Sequence, residues 1–208
     1  MSDLVFYTHP KSRGRIAHWM MEEIGIPYDT VWLEFGPQMK GDEYLSVNPM
    51  GKVPALKHGD AIVTEAAAIC AYLADCFPEK NLMPPANHPS RAAYYRWLFF
   101  AAGPLEMATT SKALGWQVPE GKNSMVGFGS YNDTLHALET ALVPGPYICG
   151  DQFTAADVYV GSSLGWGMLF GSIEKRPLFD AYVDRLYARS AFRRASRINE
   201  EFIQAEKS

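Results

Sequence analysis

The sequence predicts an α/β domain over residues 1–77, a linker over 78–89 and an all-helical domain over 90–208. Three observations carry that division. The N-terminal part changes hydrophobic period from two to 3.6 and back, in the order βαβαββα. Residues 77–89, Phe-Pro-Glu-Lys-Asn-Leu-Met-Pro-Pro-Ala-Asn-His-Pro, are too rich in proline to continue a helix. From Ser90 onward no strand pattern recurs, and every periodic segment is helical.

Leu4 to Tyr7 reads as the first strand, Ser12 to Ile24 as an amphipathic helix and Tyr28 to Leu33 as the second strand. Ala55 to His58 and Ala61 to Val63 read as a hairpin across Gly59-Asp60. Thr64-Glu65-Ala66 then opens an apolar helix to about Cys76, with Ile69, Tyr72 and Leu73 at helical spacing. This order is thioredoxin-like. In the second domain, helices are expected over Arg91 to Ala113, Ser124 to Ala141, Thr154 to Phe170, Leu178 to Ala188 and Phe192 to Glu206, packed as a bundle. Gly103-Pro104 marks a kink in the first of them. Phe153-Thr154-Ala155-Ala156-Asp157-Val158 places a hydroxyl at an N-cap and a carboxylate three residues on, a capping arrangement that assigns Thr154 and Asp157 to structure.

Chemistry is concentrated between Asn48 and Ala66, in Asn-Pro-Met-Gly-Lys-Val-Pro-Ala-Leu and, after a polar turn, Val-Thr-Glu-Ala-Ala-Ala-Ile. An X-Pro bond loses most of its trans preference, so Val53-Pro54 can be cis in a tight turn at a strand entrance. The Val53 N–H and C=O would then face outward, able to pair with an extended peptide as one more strand. The helix that begins at Glu65-Ala66 presents unsatisfied N–H groups and a positive dipole end, suited to a carboxylate.

Those two stretches, the second continuing Ala-Ile-Cys-Ala-Tyr-Leu, resemble the glutathione-binding core of cytosolic glutathione transferases of bacterial type, and the resemblance spans nearly the whole chain. It implies that Val53 and Pro54 pair with the cysteinyl part of glutathione and that Glu65 and Ala66 hold its γ-glutamyl end. Ala66 stands where serine is usual, which removes one hydroxyl donor worth roughly 1.5–3 kcal/mol against a charged group but leaves the Ala66 N–H. Lys40 and Lys52 match basic residues that pair with the glycyl carboxylate in several classes of the family.

The first turn, Tyr7-Thr8-His9-Pro10-Lys11-Ser12-Arg13-Gly14-Arg15, is where a thiol would be activated. A cysteinyl thiol with a reference pKa near 8.5 is only a few per cent ionised at neutral pH, so a hydroxyl donor and a helix N-terminus both help by favouring the thiolate. Ser12 at the expected N-cap is the lead donor, and Arg13 adds positive charge; the alternative reading of Ser12 is a plain cap. The family's register offers others. Matching Pro10 to the serine-using Ser-x-Pro pattern puts the hydroxyl on Thr8, while matching Arg13-Gly14-Arg15 to the tyrosine-using pattern puts the tyrosine position on His9, two residues after Tyr7. No single class is reproduced.

Tyr94, Tyr95, Trp97, Phe99 and Phe100 crowd the first helix of the bundle, and Trp166 stands on a later one. Tyr95, Phe99, Met107 and Trp166 are the candidate wall for a small hydrophobic electrophile, with a homodimer interface competing for the same rings.

Composition restricts the classes. A net charge of -4 argues against a general nucleic-acid surface, no apolar run is long enough to span a membrane, and Met-Ser-Asp-Leu-Val lacks the features of a signal peptide, so a cytoplasmic protein is expected. Cys70, Cys76 and Cys149 form no CxxC pair and have no metal-ligand spacing with histidines, so neither a disulfide framework nor a metal is expected. The resemblance implies a transferase that uses glutathione as co-substrate. The alternatives are a glutathione-dependent peroxidase or disulfide reductase, which would prefer a cysteine in the first turn, and a non-catalytic interaction protein of the same fold.

Overall fold

The computed structural model describes residues 3–206. Met1 and Ser2, which open the segment read above for a signal peptide, and the last two residues of the expected helical domain lie outside the described residues. By compactness the chain forms two units, one running to Asn81 and rejoined by the segment from Ala188, the other spanning Leu82–Tyr187.

In the first unit the elements are β1 (Leu4–Thr8), α1 (Gly14–Ile24), β2 (Asp29–Trp32), the single turn α2 (Asp42–Leu45), β3 (Ala55–His58), β4 (Ala61–Thr64) and α3 (Ala66–Cys76). The sheet order is β2-β1-β3-β4, with β1 parallel to β2 and antiparallel to β3, and β3 antiparallel to β4. The strand alternation explains the layering: Leu4, Phe6 and Thr8 are buried while Val5 and Tyr7 are half-buried on the other face. Trp19, Met20, Met21 and Ile24 of α1 and Ile69 and Leu73 of α3 are fully buried, each contributing about 1.5–3 kcal/mol by leaving water. Gly25 ends α1 in the left-handed conformation, its N–H reaching Met21 O at 2.9 Å.

The compact units divide the C-terminal end differently from the expected 90–208 domain. α9 (Ser190–Ala205) packs on α1. Its Arg189 flank binds both oxygens of the 7 %-exposed Glu23 at 2.6 and 2.8 Å, and Arg194 binds Glu22 at 2.9 Å. These partners lie far apart in sequence, which is why periodicity alone does not assign α9 to a unit.

The second unit holds α4 (Ser90–Phe100), α5 (Glu106–Leu114), α6 (Tyr131–Leu142), α7 (Ala155–Leu169) and α8 (Pro177–Tyr187). The kink expected at Gly103-Pro104 is a π-helical turn over Ala101–Leu105 that joins α4 to α5 around the proline. α6 begins later than the expected Ser124, because Gly129 takes a positive φ and Ser130 then caps the helix, accepting the Asp133 N–H at 3.1 Å. α7 is buried almost all round and starts at the capping box expected from Thr154 and Asp157. Asp157 accepts from the Ile148 N–H (2.7 Å), the Thr154 N–H (2.8 Å), the Thr154 hydroxyl (3.0 Å) and the Tyr182 hydroxyl (2.8 Å). Burial pushes its carboxyl up to about 6 against the pull of those donors. Among the described residues no helix is long and apolar enough to cross a membrane.

Candidate functional site

Strand register gathers the chemistry of the first unit at one end of its sheet. Tyr7 pairs with Ala55 and Ala55 with Thr64, so the exit of β1, the entrance of β3 and the exit of β4 are neighbours. Thr8 also pairs with Trp32, and the chain leaving β2 runs through Leu33 to the turn that carries Lys40. The first turn, the Val53-Pro54 turn, the Glu65-Ala66 helix start and the Lys40 turn therefore share that end.

The Val53–Pro54 peptide is cis. Asn48, only 4 % exposed, builds the approach to it: its amide donates to Lys52 O at 2.7 Å and its Oδ1 accepts the Met50 N–H at 3.0 Å. The Tyr44 hydroxyl gives Lys52 O a second donor at 2.7 Å, and burial pushes that phenol up to about 12, so it remains a donor at neutral pH. With Lys52 O held by two donors, Val53 stands half-buried beyond it, its N–H and C=O without a hydrogen bond among the described residues. Gly51 is required here: its φ is +56°, and a Cβ would lie 2.5 Å from Met39 O. Lys40 crosses the same spot and donates to Met50 O at 2.7 Å, while the Lys52 side chain is exposed.

Glu65 caps α3 with φ 69° and ψ 120°, a conformation non-glycine residues rarely adopt and one that concentrates at functional sites. Its side chain makes no capping bond and is exposed, so the first N–H groups of α3 stay available beside a carboxylate. Ala66, 6 % exposed, offers its N–H alone.

The first turn is more tightly tied than a plain cap. α1 starts at Gly14 with Arg13 at the N-cap position. Ser12 precedes it, accepting the Gly14 N–H at 2.9 Å and donating its hydroxyl to His9 O at 2.7 Å. Thr8 is fully buried and its Oγ1 has no hydrogen-bond partner. The two hydroxyls flank Gly14, where a Cβ would fall 2.0 Å from Thr8 Oγ1 and 2.9 Å from Ser12 Oγ. Tyr7 points to the opposite face of the sheet, 5.7 Å from the Tyr44 ring and packed on the apolar cluster of Leu33, Met39 and Tyr44. Arg13 is exposed at the helix start.

In the second unit, a cavity of about 460 Å³ is lined by Met107 together with Trp116, Val118, Met125 and Phe128, with Lys122 at its edge. Of the four expected wall residues its lining includes Met107 and not Tyr95, Phe99 or Trp166. Phe99 is 73 % exposed, the Tyr95 hydroxyl accepts from Arg91 at 3.1 Å, and Trp166 is half-buried against Phe170. Asn48 and Tyr44 also build the site, through their bonds to Lys52 O. Asn48 had a visible signal, since Asn-Pro starts turns, but nothing in the spacing told where its amide would go.

The N-terminal-domain model of glutathione S-transferases matches residues 13–76. GstA, a glutathione S-transferase of Escherichia coli O157:H7, is 33 % identical over 165 residues, covering 78 % of this chain and 81 % of its own. The human glutathione S-transferase theta-2B is 30 % identical over 188 residues, covering 84 % and 76 %. Among solved structures, a glutathione transferase of Methylococcus capsulatus strain Bath superposes with a TM-score of 0.79 at 30 % identity, over 95 % of this chain and 98 % of that one. The identity to GstA over most of both chains, the matched N-terminal model and the superposition on a solved glutathione transferase establish that this chain belongs to the glutathione S-transferase family.

Proposed function

We propose that the chain conjugates the thiolate of glutathione to small hydrophobic electrophiles, as a cytoplasmic homodimer. The observation that carries the reading is the end of the sheet where the unpaired backbone of Val53 and the open start of α3 at Glu65 stand next to the Ser12 turn. A peptide laid along Val53 gains two backbone hydrogen bonds, and its γ-glutamyl end meets Glu65 for the ammonium and the Ala66 N–H for the carboxylate. Lys40 and Lys52 supply positive charge for the glycyl carboxylate. A glutathione S-transferase of sphingomonad origin solved with glutathione has a TM-score of 0.76 to this chain at 26 % identity, over 94 % of this chain and 98 % of that one, which supports the same ligand here.

Ser12 activates the thiol by exchange of partners. Its hydroxyl leaves His9 O, a neutral bond worth about 0.5–1.5 kcal/mol, and donates to sulfur, where a charged acceptor is worth about 1.5–3 kcal/mol. The surplus appears only once the thiol is ionised, so it lowers the thiol pKa and does not merely bind it. The Gly14 N–H remains on Ser12 throughout and polarises the hydroxyl. Arg13 and the start of α1 add positive potential. The thiolate sulfur then attacks the electrophilic carbon, whose leaving group departs with the bonding pair. The Met107 cavity of the second unit is lined largely by apolar side chains, and Tyr95, Phe99, Met107 and Trp166 remain the proposed apolar wall for a small hydrophobic electrophile, with a second subunit competing for it.

Retention on immobilised glutathione, followed by assays with a chloronitrobenzene, an organic hydroperoxide and a small disulfide, tests this. Binding with turnover of the chloronitrobenzene is expected. Turnover of the disulfide alone would replace conjugation by redox chemistry, and failure to bind glutathione would remove the reading.

A further inference from the structure

We propose that His9 is a positioning residue for thiol activation, holding the Ser12 turn through its main-chain carbonyl and through a neutral imidazole Nδ1. The proposal rests on Ser12 as the donor to the glutathione sulfur. Three hydrogen bonds of the turn converge on this residue. His9 O accepts the Ser12 N–H at 3.1 Å and the Ser12 hydroxyl at 2.7 Å, and the ring Nδ1 accepts the Lys11 N–H at 3.1 Å. The turn it spans is clamped from the other side by Arg15, whose Nε donates to Pro10 O at 2.6 Å.

The ring is set for this and for little else. His9 is 4 % exposed, and its ring centroid lies 4.0 Å from that of Phe35. Because Nδ1 accepts from a backbone N–H, the neutral ring carries its proton on Nε2, which faces Glu34 at 3.8 Å. Protonation would set an Nδ1–H against the Lys11 N–H, replacing an acceptor by a donor and pushing Lys11 away. The peptide between His9 and Ser12 would move with it, and so would the atom from which Ser12 transfers its hydrogen bond. The charged groups around the ring are Glu34, which favours the imidazolium, and Lys11, which opposes it; Glu206 bonds Glu34 from the end of α9. Burial is the largest influence and favours the neutral ring.

The test compares His9→Ala, His9→Asn and His9→Gln in the full chain. The asparagine Oδ1 reproduces an acceptor at the place of Nδ1, whereas the glutamine Oε1 sits where Nε2 is. Each variant is measured for the pKa of bound glutathione by its ultraviolet thiolate band, for kcat and KM with a chloronitrobenzene, for the pH profile and for melting temperature. His9→Ala and His9→Gln are expected to lower kcat about tenfold and raise the bound thiol pKa, with KM for glutathione changed by less than about threefold. His9→Asn is expected to restore kcat and thiol pKa and to show a shallower acid limb than the wild type, since one protonation has been removed. Equal thiol pKa values in all four proteins, or an asparagine variant as impaired as the alanine one, would overturn the role. A change confined to melting temperature would do the same. Wild-type protein that forms no thiolate with glutathione would instead overturn the assigned function, and this role with it.

Discussion

His18 Nδ1 lies 2.9 Å from the side-chain amide of Asn199, and this contact joins α1 to α9 through an uncharged imidazole. The Asn199 amide donates to His18 Nδ1 and to Ala195 O, so the His18 proton sits on Nε2 and is shared with the Tyr28 hydroxyl at 2.9 Å. The Tyr28 hydroxyl donates to Glu22 at 2.7 Å, and Arg194 closes the chain. Burial holds His18 down at about 4, from an ordinary 6.5.

His18 should therefore contribute a stability that is lost in acid. The unfolded chain binds the His18 proton below about 6.5, and the folded one resists it until about 4. The contribution is complete above pH 6.5 and is lost as pH falls through 4, amounting to about 3 kcal/mol. Asp157 acts in the opposite sense, because its folded carboxyl, raised to about 6, favours the fold at low pH and loses that advantage as pH rises through 6. The two effects nearly cancel between pH 4 and 6.5. Urea denaturation across that range should show a loss of stability in acid for Asp157→Asn, where His18 acts alone, and a gain in acid for His18→Gln, where Asp157 acts alone, against little change in the wild type.

Removing the Ser12 hydroxyl should separate chemistry from binding. Ser12→Ala is expected to lower kcat by about 10- to 100-fold and to raise the bound thiol pKa by roughly one to two units, with KM for glutathione little changed. Thiolate absorbance titrated against pH, beside steady-state rates, reads both. Tyr7→Phe, altering a ring packed on Tyr44, should leave the thiol pKa in place.

A side chain at Gly14 should disturb both hydroxyls at once. In Gly14→Ala the new methyl overlaps Thr8 Oγ1, which is fully buried and has nowhere to go, so a loss of about 1–3 kcal/mol is expected together with reduced turnover. Adding Thr8→Ala removes the overlapping oxygen. The double variant should regain stability relative to Gly14→Ala alone in chemical denaturation, a positive coupling that a distant effect would not give.

At the proposed γ-glutamyl site, Ala66 offers one donor fewer than a serine would. Ala66→Ser restores a hydroxyl at the start of α3 and should tighten glutathione binding by about tenfold, measured by titration calorimetry. The gain should vanish with a glutathione analogue that lacks the γ-glutamyl carboxylate.

Asp157 should matter to folding and not to ligand. Asp157→Ala leaves the Ile148 and Thr154 N–H groups and the Tyr182 hydroxyl without their acceptor in a buried place, which costs about 3 kcal/mol and lowers the melting temperature by roughly 10 °C. The affinity of the folded fraction for glutathione should be unchanged.

The elements of both units were legible because they rest on short-range rules. Alternation in Leu4–Thr8, the apolar face of Gly14–Ile24 and the Thr154–Asp157 box are each written within one turn or strand. The proline turn and the Glu65 helix start were also visible, as their residue types serve few other purposes. What escaped was set by distance in the chain. The bond from Asn48 to Lys52 O, the close approach of Thr8 and Ser12 to Gly14 that leaves no room for a Cβ, and the return of α9 to α1 depend on how separate segments meet. The Ser12 hydroxyl illustrates the limit: its place beside the helix start could be read, but its partner, His9 O, could not. Likewise the cavity of the second unit draws Trp116, Val118 and Met125 from a connection without helical periodicity, where ring-counting along α4 does not look.

The pairing of α9 with α1 also sets an order of events during synthesis. Glu22 and Glu23 emerge from the ribosome long before Arg189 and Arg194, so the N-terminal unit must wait, with His18 lacking its Asn199 partner, while the whole of Leu82–Tyr187 is translated. A nascent chain halted before α9 would carry every residue assigned to glutathione and still expose the face of α1 on which that helix belongs, which makes the last segment made the one that completes the first unit begun.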